Sequence, residues 1–310
     1  MIVTRRRACH RNVPSFLHET ALSLAQRSNP PAVAALAIPA LALGAMAMGV
    51  SPIFVRLTDV GPFASAFWRV AGALPVLLVW ALIEARRSGA TAGSVFRLDG
   101  PILASGLLFT GDLIFWHLAI QRTSVANATF LATMAPVWVV LGSGFFIAEK
   151  VGRGVIAGLL LCLAGAAFLI GISWQMRPDH LDGDMFGVAT SFFFGGYILT
   201  VRAARRAAPA GQITFLSTLV TSVALLAVAL VAEPGILPGT VESAASLAGL
   251  AFISQAGGQG LLAFALGHLP AAFSALVIFL EAVAAAVAGW LVLDEAVSIA
   301  QALGGALILV

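Results

Sequence analysis

Ten long apolar stretches follow one another from about residue 37 to the end of the chain, and short polar segments separate them. A bilayer has a hydrocarbon core about 30 Å thick, which a helix of about 20 apolar residues crosses. The stretches are continuous and do not alternate, unlike the strands of a membrane β-barrel. The pattern therefore predicts an all-α membrane protein with ten transmembrane helices. We number these spans 1 to 10: 37–57, 64–83, 102–120, 126–147, 155–173, 185–201, 212–232, 246–266, 272–293 and 298–310.

Two features qualify this helical pattern. Pro52, Pro75 and Pro136 lie inside spans 1, 2 and 4, where a residue without a backbone N–H interrupts the hydrogen-bond ladder. The last span has 13 residues before the chain ends, or about 20 Å of helix. Either the last helix is truncated or it does not fully cross the membrane, and we favour truncation.

The composition agrees with a membrane protein. Apolar residues make up 60% of the chain and charged residues 10%, against about 25% charged in a typical soluble domain. The mean hydropathy of +1.00 leaves too little polar surface for a soluble globule. The net charge of +3 is small and scattered, so we expect no nucleic-acid partner. Cys9 and Cys162 lie in a polar and an apolar context, respectively, which argues against a disulfide framework.

The basic residues predict an orientation. With the N-terminus inside, the inner segments hold thirteen Lys and Arg residues and the outer segments hold three. Cytoplasmic loops carry such an excess. The tail at 1–36 has five arginines and no apolar core directly after them, which is unlike a cleaved signal peptide. We interpret it as a basic, disordered cytoplasmic tail of a multi-pass protein of the inner or plasma membrane.

The two halves of the chain resemble each other. Glu149 ends span 4 in FFIAEK, and Glu295 ends span 9 in LVLDEA, 146 residues later. The same offset relates Arg56 to Arg202. We interpret both glutamates as solvated turn residues of a repeat whose copies span 37–173 and 185–310. Five helices is an odd number, so the second copy would be inverted, as in many secondary transporters whose substrate site lies near the midplane.

These motifs also carry a family resemblance. The stretch TSVANATFLATMAPVWVVLGSGFFIAEK, with Pro136 in span 4 and a glycine-rich span 5 after it, resembles the EamA domain of the drug/metabolite transporter superfamily. A second copy runs from Ala265 through Glu295, with Ala282 at the position that matches Pro136. Arg69 in FASAFWRVAGALP is similar to an arginine of that family. The resemblance implies two five-helix repeats and the export of amino acids or other small metabolites.

Three strongly charged residues lie well inside the spans: Arg69, Asp112 and Glu281. Each costs about 2.5 kcal/mol or more at the bilayer centre, which makes it a functional candidate. Arg69 and Asp112 lie at similar depths, about 8 and 12 Å from one membrane face. They form either an ion pair that locks spans 2 and 3, or a carboxylate clamp with an acidic partner or proton site. Glu281 has no basic residue at its depth, so it either binds substrate or a proton, or makes an interhelical hydrogen bond.

Polar and aromatic neighbours complete the predicted site. Gln255 and Gln259 are four residues apart, so they share a face of an α-helix, where they contact a ligand or bridge helices. Trp116 follows Asp112 by four residues, and Tyr197 is the only tyrosine; packing is the alternative role of both. We interpret His117 as an interfacial residue. The predicted substrate-binding residues are Arg69, Asp112, Trp116, Tyr197, Gln255, Gln259 and Glu281.

The sequence carries no HExxH metal site, nucleotide-binding loop or G-x-S-x-G elbow. We therefore expect no metal and no cofactor; the expected partners are a small-molecule substrate and the lipid bilayer, and the oligomeric state is left open. The predicted function is a secondary transporter that exports small metabolites, amino acids first, by alternating access. The alternatives are an intramembrane enzyme and a non-transporting membrane scaffold.

Overall fold

The computed structural model describes most of the apolar part of the chain, namely residues 35–144, 154, 156–161, 164–165, 167–168 and 178–309. Chain contacts separate Met1–Leu36 from Ala37–Val310, and the description below concerns the second unit. The predicted tail lies almost wholly outside the described residues, as do much of span 5 and Glu149. All regular elements in the described ranges are helical, which confirms the all-α class.

Eight helical segments of the described chain are long and apolar enough to cross a membrane. They correspond to predicted spans 1–4 and 6–9, and we keep those numbers: Ala37–Arg56, Pro62–Arg87, Gly100–Arg122, Val125–Gly142, Pro178–Ala204, Ala210–Ala232, Val241–Ala265 and Ala271–Leu293. A shorter helix, Ile299–Leu309, follows at the position of span 10. The protein is thus a multi-pass membrane protein, while the count of ten helices and the inverted repeat stay predictions.

Proline divides three of the spans into two helices, as predicted. The pairs are Ala37–Gly49 and Ser51–Arg56, Pro62–Ala71 and Leu74–Arg87, and Val125–Ala132 and Ala135–Gly142. Pro52, Pro75 and Pro136 each lie in the first turn of the second helix of a pair. Proline is tolerated there because the first N–H groups of a helix have no partner within it.

Spans 8 and 9 are interrupted without a proline. Span 8 consists of an α-helix at Val241–Gly249, a π-helix at Leu250–Gln259 and an α-helix at Gly260–Ala265. Span 9 consists of Ala271–Val277 and Phe279–Leu293, which meet at Ile278. Both irregular segments lie next to candidate site residues, since the first contains both glutamines and the second precedes Glu281 by a few residues.

The core forms where spans 3, 6 and 7 meet. Span 6 packs along the length of span 3, span 7 packs against spans 2 and 3, and span 1 packs against spans 8 and 9. Tyr197 of span 6 and Phe109 of span 3 are among the largest fully buried side chains. Apolar side chains on the opposite helix faces are exposed, as lipid-facing surfaces of membrane helices are.

Charged side chains at the helix ends satisfy backbone groups of other helices. On the membrane face that contains Arg56, which we call the Arg56 face, Arg56 Nη2 donates to the carbonyl of Thr123 at 2.9 Å. The Glu295 carboxylate accepts from the N–H of Val125 at 3.0 Å, where span 4 begins. The same carboxylate lies 3.6 Å from Arg56. Glu295 lies in the turn after span 9, as we interpreted it, and its side chain is 29% exposed, but it also caps the start of span 4.

The opposite face, which we call the Glu84 face, has comparable contacts. Glu84 accepts from the N–H of Gly211 at 2.6 Å, where span 7 begins. Arg202 donates to the carbonyl of Leu266 at 2.8 Å, just beyond the last helix of span 8. Arg205 donates to a second carbonyl of that helix, Ala263, at 3.0 Å.

Spans 2 and 7 cap each other at both ends. Glu233, just after span 7, accepts from the N–H groups of Phe63 at 2.6 Å and Ala64 at 3.0 Å, in the first turn of span 2. Glu84, near the end of span 2, caps Gly211 in the first turn of span 7. A carboxylate at a helix N-terminus is stabilised by the helix dipole as well as by the hydrogen bonds. We refer to these contacts as the reciprocal caps.

Candidate functional site

Five of the seven predicted site residues meet around a small cavity between the spans. Arg69 comes from span 2, Asp112 and Trp116 from span 3, Gln259 from span 8 and Glu281 from span 9. Spans 4 and 6 close the cavity with Ala132, Thr133, Thr190 and Phe194. The cavity has a volume of about 20 Å³, which is room for about one water molecule. The site is therefore assembled in this structure but is too small to hold a metabolite.

Arg69 lies over the indole of Trp116. Its guanidinium carbon is 5.2 Å from the ring centroid, within the range of a cation–π interaction, and the side chain is 4% exposed. The Nε atom is buried without a hydrogen-bond partner. No N···O distance of 4.0 Å or less joins Arg69 to an acid within the described chain, so the ion pair with Asp112 is not formed. Arg69 is held by an aromatic ring and keeps donor groups for another partner.

Two carboxyl groups face Arg69 across the cavity. Asp112 is 6% exposed, Glu281 is half-buried, and both interact electrostatically with Arg69. Neither carboxyl group has a hydrogen bond or an ion pair to another described residue, so the interhelical bond considered for the Glu281 side chain is not formed there. Their chemistry suits an ammonium group or a proton.

Close packing of span 1 fixes the depth of Glu281. A methyl group added at Gly49 would lie 2.6 Å from the carbonyl oxygen of Glu281 and 2.6 Å from the Cβ atom of Ala284. Only a residue without a side chain lets the two backbones approach so closely. The break at Ile278 adds to this placement, since the N–H of Glu281 bonds the carbonyl of Ile278 at 2.8 Å.

The two glutamines do not act together. Gln255 donates to Thr218 of span 7 at 3.1 Å, which is the helix-bridging role, whereas Gln259 lines the cavity. We expected a shared face because residues four apart align on an α-helix. Both lie in the π-helix, whose i→i+5 hydrogen bonds change that alignment.

Tyr197 lies next to the cavity rather than on its wall. Its ring is parallel to that of Phe194, with centroids 6.1 Å apart, and it also contacts Phe109 at 4.8 Å. Phe194 lines the cavity. In this structure Tyr197 therefore packs against the side of Phe194 that faces away from the cavity.

Several lining residues have no distinctive signal in the sequence. The hydroxyl groups of Thr133 and Thr190 bond carbonyls of their own helices, at 2.8 and 2.9 Å, as threonines often do in any membrane helix.

The interfacial interpretation of His117 was wrong: its side chain is 0% exposed, and its Nδ1 atom lies 2.9 Å from the hydroxyl of Ser65. The reason is that span 3 continues beyond His117 as far as Arg122 and span 2 supplies a polar partner.

A larger cavity of about 890 Å³ lies at the Arg56 face, between spans 4 and 9 and the helix Ile299–Leu309. Its wall is rich in polar groups, including Arg122, Asn127 and Gln301. It also reaches Ala285, one helical turn from Glu281 along span 9. The larger cavity thus comes within about one turn of the small one.

Within residues 35–144 and 178–309, no three His, Cys, Asp or Glu side chains come together as metal ligands.

Comparison with known proteins identifies the relatives of this chain. The family model of the EamA-like transporter family matches residues 35–171 and again residues 181–310. The chain is similar to the pseudopaline exporter CntI of Pseudomonas aeruginosa, with 26% identity over 67% of this chain and 72% of that protein. It is also similar to a probable 4-amino-4-deoxy-L-arabinose-phosphoundecaprenol flippase subunit, ArnE, of Pseudomonas aeruginosa, with 38% identity over 28% of this chain and 76% of that protein.

The fold itself has a solved counterpart. One crystal structure matches 89% of this chain and 93% of its own, with a TM-score of 0.62 at 20% identity. That similarity concerns the fold alone. Since the family model covers most of the chain in two consecutive matches, this membrane protein belongs to the EamA-like transporter family.

Proposed function

We propose that the protein is a secondary transporter that exports small metabolites, amino acids first, across the inner or plasma membrane by alternating access. The observation that carries the proposal is the convergence of Arg69, Asp112 and Glu281 from three spans on one cavity. Charged groups persist inside a bilayer where they face protein or water and serve a substrate or ion pathway. The similarity to a pseudopaline exporter supports export as the direction.

The geometry suggests how such a substrate is held. Arg69 offers its guanidinium to a carboxylate, Asp112 and Glu281 accept from an ammonium group, and Trp116 provides an apolar wall. A bidentate bond between guanidinium and carboxylate is strong and directional. Because the cavity holds about 20 Å³, the spans around it must separate to admit a metabolite. The larger cavity is the proposed exit on the Arg56 face.

We further propose that the two halves are inverted five-helix repeats and that the N-terminus is cytoplasmic. Two matched contacts support the repeat. Arg56 bonds the carbonyl of Thr123 beyond span 3, and its counterpart Arg202 bonds the carbonyl of Leu266 beyond span 8. These pairs lie on opposite faces, as inversion requires. The excess of Lys and Arg in the segments assigned to the inside supports the orientation.

The proposal is tested by reconstituting the purified protein in liposomes loaded with a mixture of amino acids and measuring their efflux by mass spectrometry. The parent should release a subset of them faster than protein-free liposomes, and Glu281→Ala should lose most of that release. Glu242→Gln, which removes an exposed acid outside the site, is the matched control and should retain it. Equal rates for parent, Glu281→Ala and empty liposomes would favour the scaffold; chemically altered products would favour the enzyme.

A further inference from the structure

The charges that line the small cavity do not balance. The described residues of its wall contribute one guanidinium, that of Arg69, and two carboxyl groups, those of Asp112 and Glu281. With all three ionised, the empty site has a net charge of −1. An uncompensated charge inside a protein in a bilayer is costly, so the occupied site needs one more positive charge than Arg69 supplies.

Among the residues that the structure describes, no second basic side chain lines the small cavity. Along the ten predicted spans, the only other arginine is Arg56 at the end of span 1, which is already bonded to Thr123 and Glu295. Predicted spans 5 and 10 contain no charged residue at all. Among the groups in the described chain and the predicted spans, the remaining sources of the missing charge are a histidine, a proton and the substrate.

His117 is a poor source of the charge. It does not line the cavity, and its Nδ1 atom is paired with the Ser65 hydroxyl. Its Nε2 atom is buried with no hydrogen-bond partner in the described chain. A protonated imidazole has two N–H donors. With one acceptor available, the neutral ring fits this environment better.

We propose that the substrate is a small cationic amine with a net charge of +1, in the manner of a basic amino acid. This inference rests on the proposed function and narrows its substrate class. The carboxylate of such a molecule pairs with Arg69, and its two ammonium groups pair with Asp112 and Glu281, so that the occupied site is neutral. A zwitterion leaves the site at −1, and an acidic amino acid leaves it at −2.

The experiment compares three probes of similar size: L-lysine, L-glutamine and L-glutamate, with net charges of about +1, 0 and −1 at neutral pH. Each is used in counterflow into proteoliposomes that contain the full-length parent protein. We expect lysine to enter at least tenfold faster than glutamine, with glutamate slowest. Preference for glutamine or glutamate overturns the inference while leaving the proposed function standing. Preference for glutamine would indicate that one proton neutralises the occupied site, and preference for glutamate that two protons do. Counterflow of none of the three rejects the inference, and the efflux measurement with the mixture of amino acids then decides the proposed function.

Two variants test the role of the acids. Asp112→Asn and Glu281→Gln each remove one negative charge at nearly constant size, so each should lower the ratio of lysine to glutamine entry at least tenfold. The ratio is measured in the same vesicles, which cancels differences in reconstitution. Glu242→Gln removes one charge outside the cavity and should leave the ratio unchanged. If the two site variants keep the parental ratio, the carboxyl groups do not select the charge of the substrate.

Both variants are first checked by size-exclusion chromatography. If one does not fold, the other carries the test, and the preference of the parent protein among the three probes decides the inference in either case.

Discussion

The reciprocal caps between spans 2 and 7 lead to a prediction about stability. Glu233→Ala removes the acceptor of two N–H groups, those of Phe63 and Ala64. Loss of a helix cap costs about 0.5–2 kcal/mol, and hydrogen bonds to a charged group contribute about 1.5–3 kcal/mol each when well shielded. Because Glu233 is half-buried, we expect a loss of about 2 kcal/mol. Glu84→Ala removes one bond, to Gly211, and should cost about 1 kcal/mol.

The two caps lie at opposite ends of a long helix, which makes their energies separable. Span 2 covers 26 residues, or about 39 Å of helix. Mutations so far apart, without shared partners, are additive to about 0.5 kcal/mol. The double variant should therefore lose about 3 kcal/mol. The free energy of unfolding is measured by denaturant titration in one detergent, followed by circular dichroism.

The control is Glu242→Ala, which removes an exposed acid near the same membrane face. A surface substitution of this kind changes stability by about 0.5 kcal/mol or less. If Glu233→Ala costs no more than this control, the caps do not stabilise the fold. If the double variant loses much less than the sum of the single losses, the two ends are not independent.

Three further predictions concern pH, packing and topology. Burial, aided by two neighbouring arginines, lowers the pKa of His268 in the folded protein. The unfolded state therefore binds more protons, and stability is lost as the pH falls below about 6.5. Thermal unfolding between pH 7.5 and 5.5 should show this loss of stability, and His268→Gln should reduce the loss. Gly49→Ala should destabilise the protein by about 1–3 kcal/mol because the added methyl group overpacks against span 9. Gly93→Ala, with open space around it, should not change the stability. If Gly49→Ala leaves the stability unchanged, spans 1 and 9 do not approach as closely as described. In a variant without native cysteines, a cysteine at Ser88 should react with an impermeant reagent only from the cytoplasm and one at Gly239 only from outside; labelling of both from one side would reject the proposed topology.

The sequence predicted the membrane class and much of the site because a bilayer requires long apolar stretches and makes charged residues within them rare. Continuous stretches of about 20 apolar residues are typical of membrane helices and rare in soluble proteins, and proline has a fixed effect on a helix. Likewise, Arg69, Asp112 and Glu281 stand out because each is costly in an apolar span. These three residues do converge on one cavity.

The remaining features depend on contacts that no local pattern encodes. The segment that forms the π-helix in span 8 contains no proline that would predict an irregular helix. This π-helix directs Gln255 and Gln259 to different surroundings. Thr133 and Thr190 line the cavity, yet their sequence context is that of any membrane helix. The burial of His117 depends on Ser65, a residue of another span. The use of Glu84 and Glu233 as caps depends in the same way on which helix ends meet.

The pairing of spans 2 and 7 also limits how the transporter can move. The two helices come from different halves of the chain, yet Glu84 and Glu233 tie them together on both sides of the membrane. If both contacts persist through the transport cycle, the halves cannot move past each other as intact blocks, and the boundary between the moving parts must run within at least one half. Arg69 then travels with the tied pair, whereas Glu281 belongs to span 9, which packs mainly against spans 1 and 4. A substrate held between Arg69 and Glu281 would bridge that boundary and couple its own position to the motion.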